Sequence, residues 1–232
     1  MTSQPTVFVI DDDPQVRRAV GRLLTSAGHR VELFGSAIQF LESTDGDQPG
    51  CLVIDLRLPG LNGIDLFNLL HTRGKSIPMV FLTGYGDVPT SVQAMKAGAV
   101  DFLTKPVDEE ELLEAIGRAL VRDVQIRQGQ AEQEELVGRR ATLTRRERQV
   151  FDLVVQGLLN KQIAGHLGTT EQTVKVHRGR VMQKMQASSI AQLVHIAERL
   201  DAYSKVDSGQ GVATSWDGDG EPAGARKVMD RS

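Results

Sequence analysis

The sequence predicts an α/β domain built on a five-stranded, doubly wound parallel sheet, followed by a small all-α domain of four helices. Five short apolar runs alternate with five helical patterns over about 120 residues, which is typical of a parallel sheet covered on both faces. Residues 1–123 carry 11 Lys and Arg against 17 Asp and Glu, whereas residues 143–200 carry 9 against 4. An acidic domain is thus followed by a basic one, as expected if only the second binds a polyanion.

The composition favours a soluble protein of the cytoplasm. The single cysteine, Cys51, lies inside an apolar run, so no disulfide framework is possible and a reducing compartment fits. The amino terminus shows no charged-then-apolar signal segment, and no stretch has the apolar length needed to cross a bilayer.

In the acidic domain, each element is predicted from its apolar period and its boundary residues. Apolar runs predict strands at residues 7–10, 31–34, 51–55, 78–82 and 100–103. Helical spacing predicts helices at residues 14–26, 36–41, 63–70, 89–97 and 108–121. Asp13 before Pro14 is expected to cap the first helix.

Polar residues follow the apolar core of four of these strands. They are Asp11, Asp12, Asp55, Thr83 and Lys105. Right-handed crossovers bring all the strand ends to one edge of a parallel sheet, where open α/β folds bind ligands. Three close carboxylates need a cation, and hard oxygen ligands suit Mg²⁺. The set therefore predicts a site that transfers a phosphoryl group to a carboxylate, with Asp55 as the candidate acceptor.

Four short motifs in this domain resemble those of response-regulator receiver domains, over residues 5–122, and so imply a flavodoxin-like fold. The motifs are Val9–Asp13, Ile54–Gly60, Leu82–Gly84 and Phe102–Pro106. The resemblance implies that Asp55 is phosphorylated by a sensor histidine kinase. It also implies a Mg²⁺ site, with four ligands: Asp11, Asp12, Asp55 and the backbone carbonyl of Arg57.

The same resemblance assigns roles around the acceptor. Lys105 and Thr83 would contact the phosphoryl oxygens, and the Lys105-Pro106 peptide is expected to be cis. Thr83 and Phe102 would form a switch, in which Thr83 moves toward the phosphoryl group and the aromatic ring turns inward. A separate hypothesis rests on position alone: Arg57 and Tyr85 lie two residues beyond Asp55 and Thr83, so they are expected near the route of attacking water, where their bulk would slow hydrolysis of the aspartyl phosphate.

Residues 123–138 are polar with no sustained apolar face, and we predict a helical extension that fades into a linker. In the basic domain that follows, Thr144 is expected to cap one helix, Asn160 a second over 161–167, and Thr170 a third running to about Met185. Ser188 or Ser189 starts a fourth. Two short helices joined by a tight Gly-containing turn form a helix-turn-helix.

The third helix of this domain divides into a core stripe and an open face. Val174, Val181 and Met185 form the stripe, and the opposite side and its flanks carry Lys175, Val176, Arg178, Gly179, Arg180 and Lys184. A helix that enters the major groove needs such a division, with cations at its margins for phosphates.

Residues 139–201 resemble the LuxR-type helix-turn-helix of FixJ-type regulators. The similar segments are Leu143–Val150, Gly157–Ala164 and Thr173–Met182. The resemblance implies that Lys175 and Val176 read bases. It implies backbone contacts from Asn160, Lys161, Thr173 and Arg178. The glycine-rich segment 202–232 is predicted to be a disordered tail.

Together these patterns predict a FixJ-type response regulator rather than an enzyme, since the receiver only assists its own phosphorylation and dephosphorylation. Phosphorylation of Asp55 would favour a homodimer that places two helix-turn-helix units on double-stranded promoter DNA, with RNA polymerase as a further partner. Two alternatives stay open. One is a DNA-binding regulator that dimerises without phosphate; the other is an aspartate-nucleophile phosphatase, in which Asp11 attacks and Asp13 acts as the acid.

Overall fold

A computed structural model describes residues 4–44, 46–84 and 98–207. The chain separates into two compact units, with the boundary between Ala131 and Glu132. The predicted helix at 89–97, Tyr85 and the part of the predicted tail from 208 onward lie outside the described residues. No helix among the described residues is both long and apolar enough to span a membrane.

The first unit contains the predicted five-stranded sheet. Its strands are β1 (Thr6–Ile10), β2 (Arg30–Phe34), β3 (Gly50–Asp55), β4 (Met79–Thr83) and β5 (Asp101–Thr104). All neighbouring strands are parallel, in the order β2-β1-β3-β4-β5. This is the predicted doubly wound arrangement, which is confirmed.

Alternate residues of the central strands face two separate cores. On β1, Phe8 and Ile10 pack in one cluster of buried side chains, whereas Val7 and Val9 pack in the other. A strand buried on both faces must be apolar throughout, which is why the sequence shows continuous rather than alternating apolar runs.

The close approach of two central strands requires a glycine. At Gly50, which begins β3, an added Cβ would lie 1.8 Å from the carbonyl oxygen of Thr6 on β1. Any side chain there would force the two strands apart.

The described helices of the first unit begin as the sequence predicts. They are α1 (Pro14–Ser26), α2 (Ala37–Ser43), α3 (Gly63–Thr72) and the first part of α4 (Glu109–Ala141). Asp13 caps α1 as predicted, because its carboxylate accepts a hydrogen bond from the backbone N–H of Gln15 at 2.7 Å.

The predicted linker at 123–138 is wrong in one respect, because α4 continues through it without a break. Asp123 is buried and accepts hydrogen bonds from the N–H of Gly50 and from Arg127, whose guanidinium also donates to the carbonyl of Asp47 at 2.8 Å. Further along, Leu136 is buried in the core of the second unit. Because these contacts hold α4 at separate points, the helix can continue without an apolar stripe along its whole length.

The second unit has the four predicted helices. They are α5 (Arg145–Val155), α6 (Asn160–Leu167), α7 (Glu171–Lys184) and α8 (Ile190–Asp207). Thr144 and Glu147 form a reciprocal capping box at the start of α5, and Thr170 caps α7. The last helix extends six residues beyond the predicted domain end at 201, into the segment that was predicted to be disordered.

Candidate functional site

The predicted site residues of the first unit meet at one edge of the sheet. The registers pair Ile10 with Ile54 and Thr83 with Thr104, so the residues that follow β1, β3, β4 and β5 emerge side by side. Asp11, Asp55 and Thr83 are buried there, whereas Asp12 is exposed. The parallel topology therefore assembles the site from positions far apart in the chain.

Three carboxylates converge at this edge. Asp11, Asp12 and Asp55 each offer an oxygen, and these oxygens lie within 4.8 Å of one another. The ammonium of Lys105 bridges two of them, at 2.7 Å from Asp11 Oδ2 and 2.5 Å from Asp55 Oδ2. The Lys105-Pro106 peptide that follows β5 is cis, as predicted.

The electrostatics of this cluster reflect its burial. Burial raises the pKa of Asp11 above its usual range, although the hydrogen bond from Lys105 acts against that rise. Burial alone would lower the pKa of Lys105, but its hydrogen bonds to Asp11 and Asp55 outweigh burial and raise it. Lys105 is accordingly a charged donor held among carboxylates.

Backbone N–H groups fix the orientation of the two buried carboxylates. Asp11 Oδ1 accepts from the N–H of Asp13, and Asp55 Oδ1 accepts from the N–H of Arg57, each at 2.9 Å. Each carboxylate thus has one oxygen bound to the backbone and the other to Lys105. This leaves the pair with a defined geometry rather than free rotation.

The donor set fits a hard divalent cation. The convergent ligands are all carboxylate oxygens, which Mg²⁺ prefers over nitrogen or sulfur. Asp12 and Arg57 also line one open cleft of about 560 Å³ beside these carboxylates. The structure thus brings together the three carboxylates that were predicted to bind Mg²⁺, and the carbonyl of Arg57 as a fourth ligand stays a prediction.

The two predicted switch residues lie on adjacent strands. Thr83 ends β4, and its hydroxyl donates to the carbonyl of Gly84 at 3.0 Å. The backbone N–H of Lys105 donates to the carbonyl of Thr83 at 2.7 Å, which keeps these two residues together at the edge. Phe102 is half-buried, with its ring 6.3 Å from that of Phe81. Movement of Thr83 and Phe102 on phosphorylation stays a prediction.

One residue near the site was not predicted from the sequence. Arg17 of α1 donates from Nη1 to the carbonyls of Asp11 and Asp12. A cation this close to the start of a helix opposes the helix dipole, and that mismatch was the available signal.

The second unit presents part of α7 to solvent. Val174, Val181 and Met185 are buried, as the predicted core stripe requires. On the other side Lys175 and Arg180 are exposed, and Val176 is 48% exposed. Two cations therefore flank an apolar side chain on an open helix surface, which suits a nucleic-acid groove.

Lys184, one of the predicted DNA contacts, is paired within its own domain. Its ammonium donates to Glu147 Oε2 at 2.6 Å and to the carbonyl of Thr142 at 2.9 Å. Glu147 is only 2% exposed, so this ion pair joins the end of α7 to the start of α5. Lys184 therefore links the end of α7 to the start of α5, and its contact with DNA stays a prediction.

The hydrogen bonds around Glu147 lower its pKa. The first cause is the bond from Lys184, followed by the bond from the backbone N–H of Thr144, and the pKa falls to about 2. Glu147 is thus ionised throughout the range in which the protein would work.

The predicted backbone contacts lie at the start of α6 and along α7. Asn160 does not cap α6 as expected; its side-chain oxygen accepts from Arg178 Nη1 at 2.9 Å, and Leu159 takes the cap position without a side-chain cap. The hydroxyl of Thr173 lies 2.8 Å from that of Thr170. Lys161 is exposed. The Arg178–Asn160 bond therefore fixes the start of α6 against the middle of α7.

The chain matches two families of known proteins. Residues 7–117 match the response regulator receiver domain, and residues 141–197 match the bacterial regulatory proteins of the luxR family. Nodulation protein W of Bradyrhizobium diazoefficiens is 46% identical over 86% of this chain and 88% of its own length. The transcriptional regulatory protein FixJ of the same species is 41% identical over 86% of this chain and 97% of its own length. The solved structure of the response regulator StyR has a TM-score of 0.72 and 49% identity, over 85% of this chain and 100% of StyR.

Proposed function

The chain belongs to the response regulators of two-component systems that join a receiver domain to a LuxR-type DNA-binding domain, and we propose that Asp55 is its phosphoacceptor. The observation that carries this proposal is the bridge from Lys105 to Asp55 and Asp11 at the carboxyl edge of the sheet. A carboxylate held beside a fixed cation is oriented for attack on phosphorus. Asp11 is wholly buried, which favours Asp55 over Asp11 as the nucleophile.

In the proposed reaction, a carboxylate oxygen of Asp55 attacks the phosphorus of a phosphohistidine on a sensor histidine kinase. The oxygen–phosphorus bond forms as the phosphorus–nitrogen bond breaks, and the histidine nitrogen leaves with the electron pair of that bond. Negative charge on the phosphoryl oxygens needs fixed donors. Lys105 supplies an ammonium at this position and Thr83 a hydroxyl.

Asp11, Asp12, Asp55 and the carbonyl of Arg57 are the proposed ligands of Mg²⁺. When bound, Mg²⁺ offsets negative charge on the transferring group. The exposed carboxylate of Asp12 borders the open cleft, so the entry side of the site is acidic. The buried carboxylate of Asp11 is held from the other side by the N–H of Asp13.

We further propose that the receiver comprises residues 5–122 and the DNA-binding domain residues 139–201. Phosphorylation would shift Thr83 and Phe102 and favour a homodimer. Two DNA-binding domains would then occupy neighbouring half-sites on promoter DNA, in position to act on RNA polymerase. Pairing doubles the number of phosphate contacts, so the affinity of the dimer should rise steeply.

On the DNA, Lys175 and Val176 are the proposed base-reading residues, with Lys161, Thr173 and Arg180 on the backbone. The support for this assignment is the exposure of Lys161, Lys175 and Arg180; none of the three forms an ion pair with a carboxylate among the residues that the structure describes, whereas Lys184 does. Asn160 and Arg178 are proposed to act as a pair that holds the turn.

The test is the solution mass by light scattering, with Mg²⁺ and beryllofluoride, on the wild type and on Asp55→Asn. The proposal predicts a monomer that becomes a dimer only when the wild type receives both reagents. If Asp55→Asn dimerises equally well with beryllofluoride, Asp55 is not the switch. A mass that never changes in either protein would contradict the dimerisation step.

A further inference from the structure

The side chain of Arg17 on α1 binds the loop that carries the first two acidic ligands. Its Nη1 donates to the carbonyl of Asp11, in a short contact, and lies 3.4 Å from the carbonyl of Asp12. The carbonyl of Asp11 belongs to the peptide that joins these two acids. Arg17 therefore restrains the rotation that would move both carboxylates at once.

The other restraints on this loop do not replace that contact. The N–H of Asp11 donates to the carbonyl of Phe34, and the N–H of Asp13 donates to Asp11 Oδ1. Both act on Asp11 itself. The exposed carboxylate of Asp12 depends on the orientation of the peptide that precedes it, and Arg17 holds the oxygen of that peptide.

The adjacent arginine shows that the contact with the acidic loop is specific to Arg17. Arg17 is the fourth residue of α1, and a positive charge near a helix N-terminus is unfavourable. Its neighbour Arg18 carries the same charge but is exposed, and among the described residues it donates to the carbonyl of Pro14 within the helix and not to the loop. The chain thus offers two adjacent arginines, of which only one contacts the acidic loop.

We infer that Arg17 is a positioning residue for the divalent cation, acting through the Asp11–Asp12 peptide. The inference rests on the proposed Mg²⁺ site. Residues that orient metal ligands typically change metal affinity by about 10- to 100-fold when removed. Because Arg17 contacts the carbonyls of Asp11 and Asp12, its loss should free the peptide that joins them and weaken cation binding, while the bonds of Lys105 to Asp11 and Asp55 remain.

The experiment compares Arg17→Met, Arg17→Lys and the matched control Arg18→Met in the full chain. Mg²⁺ alone is titrated by calorimetry. We expect Arg17→Met to bind Mg²⁺ about tenfold more weakly. Arg17→Lys should lie between it and the wild type, because lysine keeps the charge but not the planar fork. Arg18→Met should bind as the wild type does.

A second readout separates positioning from simple loss of structure. Phosphorylation by acetyl phosphate is measured as a function of Mg²⁺ concentration. We expect Arg17→Met to need about tenfold more Mg²⁺ for half its maximal rate and to keep most of that rate at saturation. A structural defect would instead lower the maximal rate without changing the Mg²⁺ requirement.

Two results would overturn the inference while leaving the acceptor site intact. One is an Arg17→Met protein that binds Mg²⁺ as the wild type does; the other is an equal loss in Arg18→Met. If Arg17→Met does not fold, the same comparison is made between Arg17→Lys and Arg18→Lys. A wild type that binds no Mg²⁺ would overturn both this inference and the proposed Mg²⁺ site.

Discussion

The acidic edge of the receiver and the open face of α7 use charge in opposite ways. At the edge, Lys105 joins Asp11 and Asp55 across 94 and 50 positions of sequence, with both carboxylates buried. On α7, Lys175 and Arg180 come from one helix and stand in solvent. Loss of one residue from the convergent buried site should therefore remove most of the phosphorylation activity. Each exposed cation should instead contribute separately and additively to DNA affinity.

The largest expected effect is at Lys105. Lys105→Met removes the one ammonium that bridges the two buried carboxylates, so the rate of phosphorylation by acetyl phosphate should fall about 100-fold or more. Phosphorylation is followed by intact mass against time. Lys75→Met is the control, since Lys75 pairs with Asp47 at a different place in the receiver. A rate within a factor of a few of the wild type would show that Lys105 is not part of the reaction.

Lys105→Met should also strengthen the binding of Mg²⁺. Without the ammonium, the three carboxylates have lost their internal counter-charge, and Mg²⁺ should bind more tightly to Lys105→Met than to the wild type. Calorimetric titration with Mg²⁺ measures this. Weaker binding would mean that Lys105 orders the ligands more than it competes with the cation.

The next effect concerns the buried charge of the DNA-binding domain. Glu147→Ala leaves Lys184 and the N–H of Thr144 without their partner, and we expect it to destabilise the second unit by about 2 kcal/mol. Urea unfolding followed by circular dichroism checks this. Glu171→Ala, at an exposed position in the first turn of α7, should change the stability little. If Glu147→Ala and Glu171→Ala changed the free energy of unfolding equally, Glu147 would contribute no more than an ordinary surface charge.

The stability that Glu147 provides should depend on pH. Its pKa is about 2 in the folded protein, below the usual value of a glutamate in an unfolded chain. Its contribution is therefore full above about pH 5 and is lost as the pH falls toward 2. The stability difference between the wild type and Glu147→Gln should shrink between about pH 6 and about pH 3. A stability difference that stays constant over this pH range would contradict an ion pair between Glu147 and Lys184.

A smaller effect should distinguish the cations of α7. Arg180→Ala should cost about 1 kcal/mol in DNA affinity and lower the slope of log affinity against log salt by about one, because Arg180 is a proposed phosphate contact. Lys184→Ala should leave that slope unchanged, because its ammonium is bound to Glu147. Both are measured on the phosphorylated protein by fluorescence anisotropy. Equal slopes for the two variants would support Lys184 as a DNA contact.

The smallest effect should be the coupling between Asn160 and Arg178. A double-mutant cycle with Asn160→Ala and Arg178→Met should give a coupling of about 0.5 kcal/mol in unfolding free energy, since the pair is half exposed. No coupling would mean that Arg178 is available to bind phosphate by itself.

The sequence was most informative where burial leaves few choices. The apolar run bounded by Pro49-Gly50 and Pro59-Gly60 predicted β3 to within one residue, because a strand buried on both faces has no room for polar side chains. The convergence of Asp11, Asp55 and Lys105 followed from the same topology.

The sequence was least informative about long polar side chains. The helical period shows which side of α7 carries Lys184, but not that its ammonium reaches Glu147 on α5, 37 positions earlier. Similarly, α4 persists through residues 123–138 because Arg127 reaches carbonyls about 80 positions away. Such contacts depend on the tertiary fold, so no local pattern predicts them.

The most direct test of the acceptor assignment is to phosphorylate the full chain with acetyl phosphate and Mg²⁺ and to locate the modified residue by mass spectrometry of its peptides. We expect one phosphoryl group, on Asp55, and none on Asp55→Asn. A phosphoryl group on Asp11, or unchanged labelling of Asp55→Asn, would contradict it.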